Sequence, residues 1–317
     1  METRLDNVIA SLRCPTCHGS LAFASTEVSC ENTACRKQYP IVAGVPILID
    51  EARSIFSLAD FQQRRRTTFK PQNKLKQFAS KFIPSSGLNC AARKNYRKFA
   101  DLLKGNGQTP MVLVIGGGAI GEGVEFLMKD PIMTLVETDV SLGEQVSLVC
   151  DAHDLPFEDK TFDGVVAQAV LEHVVDPVRC ASEIYRVLKR EGFVYAETPF
   201  MQQVHMGRYD FTRFTHLGHR RLFRQFSEID SGVACGPGMA LAWAYEYFLI
   251  SLTTIPVLRA VLRLAARLTS FYLKYFDFFL SHKLGAFDAA SGFWFIGKKS
   301  DEVLSDRELI RSYRGAL

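Results

Sequence analysis

Three observations predict an α/β protein: an open, mostly parallel sheet with helices on both faces, a small β-rich module before it, and a helical lid or insertion after it. From Met111 to Pro199 short apolar runs alternate with helical periodicity, the pattern of a parallel sheet covered on both sides. The first 35 residues carry two close pairs of cysteines. From Ala240 onward the chain turns apolar and strongly amphipathic.

With 317 residues, 47% of them hydrophobic and 23% charged, the chain can bury a substantial core and suits two or more domains. Its 22 Gly, 12 Pro and 8 Cys exclude collagen-like, low-complexity and disulfide-stapled classes. A formal charge of +4 is too small to argue for a nucleic-acid partner by itself.

Residues 1–54 read as the first module: a CPTCHGS knuckle, the strand-like LAFA and EVSC, and YPIVAGVPILID alternating through Gly and Pro. Cys14 and Cys17 form a C-x2-C pair, and Cys30 and Cys35 a C-x4-C pair. Each pair presents two thiolates from one turn, so together they suit a tetrahedral zinc ion with no open position, a structural rather than catalytic site. His18 follows the first knuckle, but four thiolates already complete the shell. METRLDNVIASLRC has no apolar signal core, which leads to the expectation of a cytoplasmic protein, where close cysteine pairs more often bind metal than form disulfides.

Residues 55–107 read as a basic linker and an entry helix. Between Phe61 and Lys104 twelve Lys and Arg residues, Arg64, Arg65 and Arg66 among them, face only Asp101. A solvated surface is the ordinary reading of such a run; a patch for RNA, anionic lipid or a phosphorylated substrate is the sharper one. No aromatic-basic interleaving supports nucleic acid, which stays open as a partner without being favoured.

Residues 108–230 read as the core. MVLVI is a buried strand, Gly121–Met128 a helix, IMTLVETD a strand, FDGVVAQAVL another, Pro177–Lys189 a helix and FVYAETP a strand. In VLVIGGGAIGEG, Gly116, Gly118 and Gly121 match G-x-G-x-x-G between a strand and a helix, allowing a tight turn and close backbone approach to a nucleotide-like ligand. Asp139 ends the next strand, where a carboxylate accepts hydrogen bonds from ribose hydroxyls. Further on, His173 and the run PFMQQVHMGRYDFTRF supply acid-base groups. His173, His205 and Asp210 are the catalytic candidates, with Asp210 orienting His205 and Arg213 available for an anionic group. His216, His219 and Arg220 read as surface residues of a helix.

Residues 231–317 read as the helical lid or insertion plus a final core strand, SGFWFIGKK. Glu246 and Pro256 interrupt the apolar run, so it falls short of the roughly 20 residues of a spanning helix. Arg259, Arg263, Arg267, Ser270, Lys274 and Asp277 line one helical stripe. The expectation is a lid packed on the core, with peripheral membrane contact through residues 240–282 as the sharper reading.

Two stretches carry family resemblances. LRCPTCHGSL, Cys30, Cys35 and YPIVAGVPILIDEAR resemble the Trm112-like zinc ribbons, which occur alone as methyltransferase activators or fused to enzymes. The pieces D-A-x-x-L-P-F, F-D, L-E-H and E-I-x-R-V-L-K-x-x-G are similar to class I S-adenosylmethionine-dependent methyltransferases of the type 11 kind, which have a Rossmann-like sheet. That resemblance implies S-adenosylmethionine as cofactor, with Asp139 on the ribose, Asp151 near the adenine amino group, Ala152 touching the ring through its backbone, and Gln168 facing the methionine moiety. Two departures are visible: Ile120 where a third glycine is usual, and Val114 where the first strand usually ends in an acid. The leading expectation is a methyltransferase acting on a small-molecule or lipid-linked acceptor. The alternatives are a non-catalytic scaffold or activator with a degenerate nucleotide pocket, an RNA methyltransferase, and an NAD-dependent oxidoreductase.

Overall fold

The computed structural model describes residues 5–63, 83–105, 109–119 and 121–316. The basic run from Arg64 to Lys81 and Ile120 lie outside them.

Among the described residues eleven strands join in one sheet: β1 (Leu21–Phe23), β2 (Glu27–Cys30), β3 (Gln38–Val42), β4 (Val45–Leu48), β5 (Met111–Ile115), β6 (Thr134–Asp139), β7 (Leu148–Cys150), β8 (Phe162–Gln168), β9 (Leu188–Pro199), β10 (Phe226–Cys235) and β11 (Gly292–Lys299). Their order is β1-β2-β3-β4-β7-β6-β5-β8-β9-β11-β10. From β4 to β9 every pairing is parallel, and β11 and β10 continue the sheet antiparallel. This is a Rossmann-like sheet with a mixed edge, as the sequence predicts. The order reverses between β5 and β8, and open α/β sheets bind ligands at the carboxyl ends of such a pair.

The central strands are runs such as MVLVI because both faces are covered. One face carries α2 (Ala92–Lys104), which buries Tyr96, Phe99 and Leu103 against Tyr195 and Val112. The other carries α4 (Pro177–Val187), whose first turn is capped by Asp176 accepting from Val178 and Arg179. The short α1 (Leu58–Gln62) precedes both. Of the basic stretch that is described, Lys98 reaches Asp230 at 2.5 Å, Lys104 pairs with Asp130, and Arg97 lies over the Phe126 ring.

The cysteine-rich module is built into this sheet. Ile47 and Leu48 of β4 pair in parallel with Val149 and Cys150 of β7, so the module supplies the neighbour that an exposed edge would lack. Val8, Leu12, Val28 and Tyr39 share one apolar cluster with Leu113, Val136 and Phe157. Too small for its own core, the module borrows that of the sheet.

The helix expected over Gly121–Met128 is only α3 (Glu125–Met128). Gly123 sits at φ +92°, a left-handed conformation that cannot continue an α-helix. The strand β10 escapes the pattern reading because FSEIDSGVAC is polar for half its length and bulged twice against β11. The helix α5 (His216–Leu222) also departs from expectation. His216, His219 and Arg220 are buried, the two rings edge-on to Phe287 and Phe293, and to Phe223 and Phe295, while Arg220 meets Glu228 at 2.9 Å. An imidazole and a guanidinium face pack on aromatic rings, so the charged letters conceal an inward face.

The last third forms a hairpin of α6 (Pro237–Ser251) and α7 (Pro256–Ser270), continued by a 3-10 turn and α8 (Asp277–Leu280). From Arg263 onward its polar stripe points inward, whereas Arg259 is exposed. Buried Glu246 on α6 receives Arg263 Nε and Arg267 Nε from α7, each at 3.1 Å. Asp277 is fully buried and accepts the Gly238 and Met239 N–H groups at the start of α6, while Lys274 donates to the carbonyl of Ser85. A buried charge needs a partner, and Glu246 turns the arginines toward itself. The apolar residues therefore face out: Phe248, Leu252, Val257 and Phe279 are each about two-thirds or more exposed. No described helix is long and apolar enough to cross a membrane. The remaining helices, α9 (Ala286–Ala289) and α10 (Asp306–Arg311), flank β11 in the chain.

Candidate active site and metal centre

The carboxyl ends of β5, β6, β7 and β8 meet in one cleft, the place where open α/β sheets bind ligands. At its floor the chain leaves β5 through Gly116, at φ +78°, where an added Cβ would lie 2.5 Å from Val170 Cγ2. The N–H groups of Gly116 and Gly117 both donate to the Thr138 carbonyl, at 2.8 and 2.9 Å, tying the turn to β6. Gly118 N–H donates to Asp139 Oδ2 at 2.9 Å, and a Cβ on Gly118 would press on that same oxygen. Burial pushes the Asp139 carboxyl up to about 6, against the pull of the backbone N–H groups of Gly118, Ser141 and Val140.

Asp151, at the end of β7, is the second acid of the cleft. Burial would raise it, but hydrogen bonds from His153 and Ser54 outweigh burial and hold it below the usual carboxylate range. His153 Nε2 accepts the Asp176 N–H at 3.0 Å, so its proton sits on Nδ1 and is donated to Asp151 Oδ1 at 2.5 Å. Ala152 lines the same wall. Ile55 and Phe56, directly after the cysteine-rich module, close it.

Gln168 and Gly121 line an adjoining hollow instead. Gln168 Oε1 accepts from Tyr96 Oη at 3.0 Å, and its Nε2 donates to the Glu122 carbonyl and to Glu197 Oε2, each at 3.1 Å. Glu197, buried at the end of β9, also accepts from Asn89 Nδ2 at 2.8 Å and from the Tyr195 hydroxyl. Burial raises its carboxyl.

His173 lines the same cleft. Burial, together with the nearby His205, lowers it to about 4. Its Nε2 lies 3.2 Å from His205 Nε2, and the adjacent Glu172 is buried, with burial pushing its carboxyl up to about 8. Asp210 is held down to about 2: burial raises it, but a two-pronged contact from Arg213 prevails. Asp210 holds the His205 backbone N–H at 2.8 Å, with the ring Nδ1 farther off at 3.5 Å. Arg213 spends its other donors on the carbonyls of Gln202, Gln203 and Thr212, so it shapes its own loop.

In the module, the sulfurs of Cys14, Cys17, Cys30 and Cys35 all lie within 4.8 Å of one another. Cys14 and Cys35 are 3.9 Å apart, Cys17 and Cys30 3.5 Å. Four thiolates about 2.3 Å from one zinc ion would sit ~3.8 Å apart, so the cluster fits a tetrahedral ion. His18 and Arg36, each directly after the second cysteine of a pair, take positive φ of 57° and 51° and turn both knuckles inward. Tyr39 Oη stands 3.1 Å from Cys14 Sγ and Asn32 Nδ2 donates toward Cys17 Sγ at 3.7 Å, so both sulfurs have outer partners. Cys90, Cys150, Cys180 and Cys235 are free thiols.

Sequence reasoning did not reach Ser54, Phe56 or His153, nor Asn89 and Glu197, the partners of Gln168. One signal was present for the last: a glutamate inside the otherwise apolar FVYAETP strand.

Residues 123–196 match the protein family described as "Methyltransferase domain". Over 60 residues, 18% of this chain, the sequence is 45% identical to the demethylmenaquinone methyltransferase of Symbiobacterium thermophilum, covering 24% of that protein. Over 95 residues, 28% of this chain, it is 34% identical to the chloroplastic 2-phytyl-1,4-beta-naphthoquinone methyltransferase of Arabidopsis thaliana, covering 36% of that protein. The chain thus spans about a quarter to a third of the length of these relatives. Among solved structures, phosphoethanolamine N-methyltransferase 2 of Haemonchus contortus overlaps 81% of this chain and 62% of its own, with a TM-score of 0.43 and 17% identity.

Proposed function

We propose that the protein is an S-adenosylmethionine-dependent methyltransferase acting on a small-molecule or lipid-linked acceptor, with a structural zinc ion in its first module. The observation that carries this reading is the convergence of the Gly116 turn, Asp139, Asp151 and His173 on one cleft. Two carboxylates on separate strand ends suit a ribose diol and an adenine amino group. Methyl transfer from a sulfonium is an in-line displacement, so the protein's task is to hold acceptor and methyl in line and to handle a proton at oxygen or nitrogen. His173 and His205 stand where the acceptor would enter, with Asp210 positioning His205 through its backbone. The family match over 123–196 supports methyl transfer, and the names of the relatives, both methyltransferases of quinone-type molecules, support an acceptor of that chemical class.

The hairpin supports an acceptor drawn from a bilayer surface. From Pro237 to Phe287 the only acids, Glu246 and Asp277, are buried, whereas Arg259 and Lys283 are exposed beside the outward apolar residues. Apolar side chains with cations and no exposed acid suit an anionic interface. On its inner side α6 reaches the acceptor loop, with Tyr247 Oη donating to the Val204 carbonyl at 2.7 Å and Trp243 edge-on to His205.

Calorimetric titration with S-adenosylmethionine, S-adenosylhomocysteine and NADH tests the reading. Binding of the two sulfur ligands alone is expected; binding of NADH alone would make it an oxidoreductase, and binding of none a scaffold. For the surface, sedimentation with phosphatidylglycerol vesicles is expected and should be lost in Phe248→Glu/Phe279→Glu, and equal binding of both proteins would overturn the docking.

A further inference from the structure

Glu172 and His173 lie just beyond β8, and His205 lies in the loop after β9. That loop is anchored on Glu172 itself, whose backbone carbonyl accepts the N–H groups of Phe211 and Thr212 at 2.8 and 3.2 Å. A carboxylate oxygen and one nitrogen from each ring all lie within 4.8 Å of one another.

The protonation of the two rings follows from their outer hydrogen bonds. His173 Nδ1 faces the Tyr209 carbonyl at 2.8 Å, and His205 Nδ1 faces the Gln203 carbonyl at 3.2 Å. A carbonyl oxygen only accepts, so both Nδ1 atoms carry the proton. In the neutral rings both Nε2 atoms then present lone pairs, and these point at each other across 3.2 Å. Two lone pairs at that distance repel unless a positive centre lies between or beside them. The third group lacks a partner as well: Glu172 is 1% exposed, and its Oε2 makes no hydrogen bond among the described residues. Its Oε1 is 3.7 Å from His173 Nε2. A buried carboxyl oxygen with no hydrogen-bond partner is costly to leave so, and a bound cation would hold the group ionised and remove the cost.

We infer that Glu172, His173 and His205 bind a divalent transition-metal ion at the acceptor end of the cleft, in a site distinct from the four cysteines. Two nitrogens each about 2.0 to 2.1 Å from one tetrahedral ion would be ~3.3 Å apart, close to the spacing of the rings. Each imidazole is oriented through Nδ1 by a backbone carbonyl, the outer arrangement that ligating histidines favour. Asp210, already occupied by Arg213 and the His205 N–H, stays outside the set. Two imidazoles and one carboxylate leave at least one coordination position open. Because His173 and Met206 both line the cleft, an oxygen of the acceptor is the ligand suited to that position, an assignment that rests on the methyltransferase reading although the metal site itself does not.

The test uses Co²⁺ as probe on the full chain, comparing wild type with His205→Asn and Glu172→Gln. Wild type should bind one equivalent more than either variant, and that equivalent should add weak visible bands without thiolate-to-cobalt charge transfer. The thiolate bands of the cysteine site, unchanged in the variants, report that they fold. Equal Co²⁺ binding by all three proteins would overturn the site. Wild-type protein labelled with ¹⁵N-histidine gives a second reading: on metal addition both Nδ1 protons should persist while both Nε2 signals move, and an Nε2–H on either ring that survives excess metal would equally overturn it. Neither measurement contains S-adenosylmethionine, so failure of the methyltransferase reading would appear separately, as absent cofactor binding in protein that still takes up the extra metal.

Discussion

Asp139 is the side chain whose protonation most directly governs the cleft. Its carboxyl stands at about 6, above the ordinary aspartate value, because burial outweighs three backbone donors. In the proposed cofactor site only the ionised form would accept from two ribose hydroxyls. Cofactor affinity should therefore be flat above about pH 7 and fall toward tenfold per pH unit as pH drops below about 6, a slope that calorimetry across pH 5 to 8 would read. Asp139→Asn should remove the slope, and Asp139→Ala should cost about 1 to 3 kcal/mol of binding at neutral pH. Asp151 titrates lower, so its variants should leave that slope in place. Gly116, Asp139, Asp151 and His173 were legible as residues because each ends a strand or starts a turn in a recognisable run. Ser54 and Phe56 were not: they come from a segment nearly a hundred residues away, and only the parallel pairing of β4 with β7 brings them to Asp151. His216 and His219 were read as surface residues, since neighbouring arginines give no hint that the rings lie among phenylalanines.

The hairpin of α6 and α7 and the cysteine module are the elements whose contributions can be tested one at a time. In the hairpin, Glu246→Ala would leave Arg263 and Arg267 facing a buried gap. Because both guanidiniums keep partial solvent access, a loss of about 1 to 3 kcal/mol, below that of a fully buried pair, is expected from chemical denaturation. The amphipathic period of this segment was readable from sequence, whereas its direction was not. Periodicity tells which residues share a face; only the depth of Glu246 tells which face turns inward. In the module, Cys14→Ser or a strong chelator should weaken cofactor binding as well as local stability, because the ordered chain after β4 carries Phe56 into the cleft wall. Unchanged affinity after metal removal would show that the wall keeps its shape without the ion. β5, β6, β8 and β9 were legible as buried runs, while β7 was not, being three residues long, nor β10, whose polar half and two bulges break the alternation that marks a strand.

Across the molecule, one apolar cluster runs from Val8 and Tyr39 of the module to Val136 and Phe157 of the sheet. Shared packing of this kind couples the two parts, so thermal unfolding followed by a module probe and by a core probe should give coincident transitions, and two separate transitions would show that the parts are independent. The parallel pairing of β4 with β7 also has a kinetic meaning. A helper subunit that completes a neighbour's cleft is lost on dilution, at a rate and to an extent set by its own dissociation constant. Here the completing strand and Phe56 are covalently joined to the sheet they serve, so their local concentration is set by chain length and not by how much protein a cell makes. The fraction of molecules with a finished cleft should be the same at nanomolar as at micromolar protein, and specific activity measured over that range should trace a level line.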